Sequence, residues 1–177
     1  MGCDIHAFAE IRQPDRSWKR CGDVFPYPES DRAWRKQTHG CQPFDWRSYG
    51  VFGFLADVRN YSAVPCIAKP RGLPHDLSPE VNAEYETWDV DAHSLSWLSL
   101  RELAEFDYDA PVIDRRITRQ EGPNFFNGGA TATAAEEALA TKTTFREFLG
   151  DFFMRDVDIL KTLGPLDDVR IVFWFDN

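Results

Sequence analysis

The sequence predicts an α+β fold in a single domain spanning residues 1–177: a small, mainly antiparallel sheet that includes the N- and C-terminal strands, several helices and long ordered loops. Three observations carry this expectation. Cys3–Arg12 alternates apolar and polar side chains, Val169–Phe175 is an almost unbroken apolar run, and between them apolar residues recur at helical spacing. No internal repeat is present, and no Gly-, Ser- or Pro-rich stretch is clean enough to separate two domains.

The elements follow in order. Cys3 to Arg12 reads as a strand on which Asp4, His6, Phe8 and Glu10 share one side. Cys3, Ile5, Ala7, Ala9 and Ile11 share the other, which is the expected core side. Gln13-Pro14-Asp15-Arg16 is a turn, and Ser17–Cys21 is the returning strand of a hairpin. Gly22 to Gly50, rich in Pro, Gly, Asp and aromatics, reads as a long ordered loop. Val51, Phe52, Phe54, Leu55 and Val58 place a short helix over Tyr49–Tyr61, ending near Asp57–Asn60, and Pro65–Pro74 is a second loop. Ser78 is a helix cap with Pro79 at the first helical position, and the helix runs to about Trp88.

Asp89–Ser94 reads as a loop, and Ser99-x-x-Glu102 is a capping box that opens a helix ending near Phe106. Pro111–Arg116 is a short strand. Gln120–Lys142 carries no clear pattern: Asn124–Gly129 resembles a turn, and the Ala/Thr-rich run after it suits a loop or a short helix. Thr144-x-x-Glu147 is a second capping box, followed by helical spacing through Leu163, a kink at Gly150 and a stop at Gly164-Pro165. Val169–Phe175 closes the sheet as a buried strand.

A formal net charge of −9 argues against DNA or RNA as a direct partner, because such binding draws on Lys and Arg neutralising phosphates. Cys3, Cys21, Cys41 and Cys66 form no Cys-x-x-Cys pair, so neither a zinc ribbon nor a redox motif is expected. No signal sequence and no apolar run of the roughly 20 residues that a membrane span needs are visible. A soluble, cytoplasmic protein with free thiols is the expectation, with no membrane partner.

Four polar clusters sit at element ends, where sites tend to be built. Asp4 and His6 can converge on one proton, metal ion or ligand group. Asp57, Arg59 and Asn60 offer a carboxylate, a guanidinium and an amide at a helix end. Arg71, in the loop Lys69-Pro70-Arg71-Gly72, can present a planar fork to a phosphate or carboxylate. Asp91, His93 and Ser94 lie close together, with Trp97 just beyond as core residue or stacking platform.

Each cluster also has a purely structural use: a buried, satisfied His6, a helix cap at Arg59 and Asn60, a surface charge at Arg71, N-caps at Asp91 and Ser94. The spacing Asp-x-His occurs twice, and Asp4, His6, Asp91 and His93 together would suit a divalent metal such as zinc or manganese. Without a metal, His6 and His93 could act as general acid and base. No Gly-x-Ser-x-Gly elbow, Walker loop or dinucleotide fingerprint is present.

The segments Met1–His6, Leu55–Asn60, Pro70–Pro74, Asp91–Ser94, Ser96–Leu98 and Val172–Asn177 resemble a family of short bacteriophage and prophage proteins that begin Met-Gly-Cys-Asp-Ile-His. The resemblance spans most of the chain and implies a phage origin, hence the host cytoplasm, and a role in countering host defence. It supplies no catalytic residues.

The leading reading is a polar pocket that binds, and sequesters, a small phosphorylated, nucleotide-like ligand, with Asp4, His6, Asp57, Arg59, Asn60, Arg71, Asp91, His93, Ser94 and Trp97 as its residues. A second is a metal-dependent phosphoesterase acting on such a ligand. A third is an acidic protein that inhibits a host enzyme by binding it. A homo-oligomer is compatible with all three.

Overall fold

A computed structural model describes residues 2–22, 24–26, 42–116 and 140–176. Most of the expected loop at 22–50 and of the unpatterned span at 120–142, with its turn at 124–129, lies outside the described residues, as do Met1, Cys41 and Asn177. The fold is α+β, and its sheet contains both the first and the last strand.

In chain order the elements are β1 (Ile5–Arg12), β2 (Trp18–Arg20), α1 (Tyr49–Ala56), α2 (Pro79–Trp88), β3 (His93–Ser99), α3 (Leu100–Glu105), β4 (Pro111–Asp114), β5 (Thr141–Thr144), α4 (Phe145–Thr162) and β6 (Val169–Phe175). They fall into two compact units. The first draws on the described parts of Met1–Arg47, Pro70–Phe106 and Phe152–Asn177, the second on those of Ser48–Lys69 and Asp107–Asp151.

The first unit is built on a four-stranded antiparallel sheet in the order β2-β1-β6-β3. β6 pairs with β1 from Ile5 opposite Phe175 to Ile11 opposite Val169. All seven residues of β6 are buried, which is why its sequence reads as a continuous apolar run rather than an alternation. Full burial of each large apolar side chain contributes about 1.5–3 kcal/mol, so β6 is the main apolar anchor of this unit.

β1 departs from the expected one-sided burial. Ile5, Ala7 and Ala9 are buried as predicted, but Phe8 and Glu10 on the opposite side are buried too. On that side Phe8, Val172 and Trp174 pack with Val81 of α2, flanked by Tyr85, Trp88 and Trp97. Ser78 caps α2 by accepting from the Val81 N–H at 3.3 Å, and its own N–H donates to Glu10 at 2.8 Å, which ties the helix start to β1.

β3 replaces part of the loop expected at Asp89–Ser94. Asp89–Asp91 forms a 3-10 turn, and the strand begins at His93. A bulge between His93 and Ser96, with Ser94 at a φ of 52°, interrupts its pairing with β6 and hides the period of two from a sequence reading. The capping box at Ser99 and Glu102 forms as expected and starts α3.

In the second unit α1 is buried almost all round, and Phe54 packs against Tyr108 and Phe145 at centroid distances of 6.3 and 5.6 Å. β4 pairs antiparallel with β5, a Thr- and Lys-containing strand that no apolar pattern announces. Thr144 and Glu147 cap α4 reciprocally. Gly150 breaks α4 with φ 80° and ψ 173°, a conformation open to glycine, beside the boundary between the two units. No helix among the described residues is long and apolar enough to cross a membrane.

Candidate functional site

The strand register of the first unit brings charge and aromatic surface together at one end of the sheet. Arg12 faces Trp18 across β1 and β2, while Ser99 faces Arg170 and Arg170 faces Glu10 across β3, β6 and β1. There a cleft of about 730 Å³ opens, lined among others by Arg12, Trp18, Arg71, His75, Trp97 and Arg170. Its size is that of a small-molecule site.

The floor is rigid. Arg170 donates through Nε to Glu10 at 2.6 Å, through Nη1 to the Asp76 carboxylate at 2.6 Å and through Nη2 to the Asp76 carbonyl at 3.0 Å. Its guanidinium lies 4.0 Å from the Trp18 ring centroid, and the Trp18 N–H donates to Asp76 at 2.9 Å. Partial desolvation pushes the Asp76 carboxyl up, but the hydrogen bonds from Arg170 and Trp18 outweigh it and hold it below the ordinary carboxylate range. Arg12 covers Trp18 at 4.8 Å and approaches Asp168 only to 3.8 Å, so its half-exposed guanidinium is loosely held.

Arg71 forms the opposite lip. Its N–H donates to the Ser96 hydroxyl at 3.3 Å, and the Gly72 N–H donates to the Leu95 carbonyl at 2.9 Å, which docks the loop on β3. Gly72 takes a φ of 76°, permitted by its missing Cβ, and lets the loop turn there. The Arg71 guanidinium stacks over Trp97 at 5.0 Å and forks onto both oxygens of Glu102. Desolvation raises the Glu102 carboxyl, yet bonds from Arg71 and from Ser99 bring it below its ordinary value, so the pair is fully ionised at neutral pH.

The other predicted residues lie elsewhere. Asp4 is engaged by Arg47, with Nε at 2.9 Å from one oxygen and Nη2 at 2.5 Å from the other. His6 bonds through Nε2 to Asp176 at 3.2 Å, and its ring lies 3.9 Å from that of Trp88. Asp176 also accepts from the Asp4 N–H at 2.9 Å, so this cluster fastens the start of β1 to the end of β6.

His93 stands opposite Phe175, which stands opposite Ile5, whereas His6 stands opposite Trp174. Because side chains alternate along a strand, the two histidines occupy opposite faces of the sheet. The expected acid–base pair and the four-ligand set Asp4, His6, Asp91 and His93 are therefore not assembled, and Asp91 is exposed on its 3-10 turn. Among the described residues no three His, Cys, Asp or Glu side chains gather to hold a metal ion. His93 bonds Ser94 through Nδ1 at 3.0 Å, while its buried Nε2 has no hydrogen-bond partner among the described residues.

Asp57, Arg59 and Asn60 belong to the second unit, where they shape a loop. Asp57 ends α1 in a left-handed conformation. Asn60 donates to Asp57 at 2.6 Å and to the Val64 carbonyl at 2.8 Å, and accepts from the Val64 N–H at 3.1 Å. Arg59 reaches the Tyr61 hydroxyl at 3.5 Å.

Of the predicted set, the cleft unites Arg71 and Trp97. Sequence reasoning missed Arg12, Trp18, His75, Asp76 and Arg170. One signal was available: Glu10 and Arg170 are charges inside the two most apolar strands, and buried charges need partners. Comparison of the chain with protein-family models, with curated proteins and with solved structures gave no match.

Proposed function

We propose that this protein binds a small phosphorylated, nucleotide-like ligand in the cleft at the Arg170 end of the sheet. The observation that carries the reading is the grouping of three arginines and two tryptophans around one ligand-sized opening. Arg71 and Arg12 are the exposed cations suited to a phosphate, and Trp97 offers aromatic surface beside Arg71 to a planar group. Arg170 and Asp76 form the fixed floor. The reading is of binding rather than cleavage, because the two histidines that would exchange protons sit on opposite faces. We infer the wider role, removal in the host cytoplasm of a nucleotide signal used in defence, from the resemblance of segments such as Met1–His6 to short phage proteins.

A thermal-shift screen of the purified protein against nucleotides, cyclic nucleotides, ADP-ribose derivatives and divalent metals tests this, since a ligand that binds the folded state raises its melting temperature. A nucleotide hit that is lost in both Arg71→Ala and Trp97→Ala supports the reading. A response to metals alone, or none at all, overturns it.

A further inference from the structure

Glu102 occupies the position in which the fork of Arg71 would receive a ligand's anionic group. Its Oε2 accepts at once from the Ser99 N–H at 2.9 Å, the Ser99 hydroxyl at 3.0 Å and Arg71 Nη1 at 3.1 Å, while Oε1 accepts from Arg71 Nη2. The first of these bonds is one half of the capping box of α3, whose other half is the Glu102 N–H donating to the Ser99 hydroxyl at 3.2 Å, so the carboxylate stays in place whether or not Arg71 is bound to it. Arg71 is anchored through its backbone on β3, and its side chain is about a third exposed, as is that of Glu102. A fixed carboxylate thus faces an exchangeable guanidinium. Carboxylate and phosphate bind a guanidinium in the same two-pronged geometry.

We propose that Glu102 is an intramolecular competitor for Arg71, a built-in anion that an incoming phosphate must displace and that sets the affinity threshold of the cleft. The inference rests on the cleft being an anion-binding site. It deepens that reading by naming the residue that controls occupancy. An anion that replaces Glu102 must bring two oxygens to one fork, so phosphates and pyrophosphates displace it, while halides and single-point anions do not.

Glu102→Gln isolates the effect, because the amide oxygen still accepts from Ser99 and preserves the cap, while the charge and one arm of the fork are lost. Isothermal titration calorimetry with ADP and with inorganic pyrophosphate is run on the wild type, Glu102→Gln, and the double variant Arg71→Ala/Glu102→Gln. An unchanged melting temperature of the single variant confirms that the cap survives; if it falls, Glu102→Asp, which retracts the carboxylate from the fork, serves in its place.

The expected result is at least a tenfold tighter affinity of the single variant for both probes, with the gain abolished in the double variant. Wild-type binding that is unchanged or weakened by Glu102→Gln overturns the competitor role and leaves the binding site standing. A gain that persists without Arg71 also overturns it. Absence of binding in every variant overturns both the competitor and the anion site beneath it.

Discussion

Arg170 and Arg71 are built alike and behave differently. Each guanidinium lies over a tryptophan, at 4.0 Å from Trp18 and 5.0 Å from Trp97, and each is met by a glutamate. The Arg170 and Glu10 side chains are 5% and 0% exposed, those of Arg71 and Glu102 32% and 34%. Burial turns the first pair into a fixture: removing Arg170 would leave the Glu10 carboxylate, and removing Glu10 would leave the Nε side of the Arg170 guanidinium, in a medium that cannot solvate it. Solvent leaves the second pair weakly held, because water competes for both ions. The same chemistry serves as floor in one place and as exchangeable lip in the other. Accessibility, more than residue type, separates a structural ion pair from a binding group.

The largest expected effect breaks the buried pair. Glu10→Ala leaves Asp76 to hold the buried Arg170, takes the acceptor from its Nε and removes the acceptor of the Ser78 N–H, so unfolding by urea should show a loss of about 3 kcal/mol. Trp18→Phe keeps an aromatic floor but deletes the hydrogen bond to Asp76, and should cost about 1–2 kcal/mol by the same measurement. Arg71→Ala should change stability by less than about 1 kcal/mol, while weakening ADP binding about tenfold or more. Equal stability losses in Glu10→Ala and Arg71→Ala would erase the distinction between the pairs.

The smallest effect is seen in pH dependence. The carboxyls of Asp76 and Glu102 are depressed in the folded state, so their contribution is complete above the ordinary carboxylate range and is lost as pH falls through their folded values. Asp156 is the opposite case. Burial raises it despite bonds from the Phe44 N–H and Arg155, so its contribution is present below its unfolded value and lost as pH rises through the raised one. Urea midpoints across the acid range should therefore fall on acidification, less steeply in Glu102→Gln. In Asp156→Asn the component that declines with rising pH should vanish. An acid limb unaltered by Glu102→Gln would show that Glu102 is not held as described.

The strands and helices written in short-range patterns were legible: β1, β6, the proline-started α2 and the capping boxes of α3 and α4. β3 was not, because its serines imitate helix caps and its bulge at Ser94 breaks the alternation. β5 lacks an apolar face on which a pattern could show. The site was legible only where a single residue type announced itself, as with Arg71 beside its glycine and Trp97. Arg12, Trp18 and Arg170 become neighbours through strand register between segments far apart in the chain, which no local spacing encodes. His6 and His93 show the converse: the same Asp-x-His spacing, placed on opposite faces because their strands pair out of phase.

The pairing of β1 with β6 also dictates when the sheet can form. β6 is the partner of both β1 and β3, yet it is the last of the four strands to be synthesised. Among the described residues, until it emerges β1 has only the three residues of β2 beside it, and β3 has no strand partner. A two-stranded ribbon is marginally stable in water, so the growing chain must carry Phe8, and later Trp97, without their final cover until β6 emerges. Closing the loop from β1 to β6 then orders the sheet late and at one stroke, the slow step expected of a high-contact-order topology. Arg170 enters on that same strand, and the floor of the cleft cannot be laid before the sheet itself is closed.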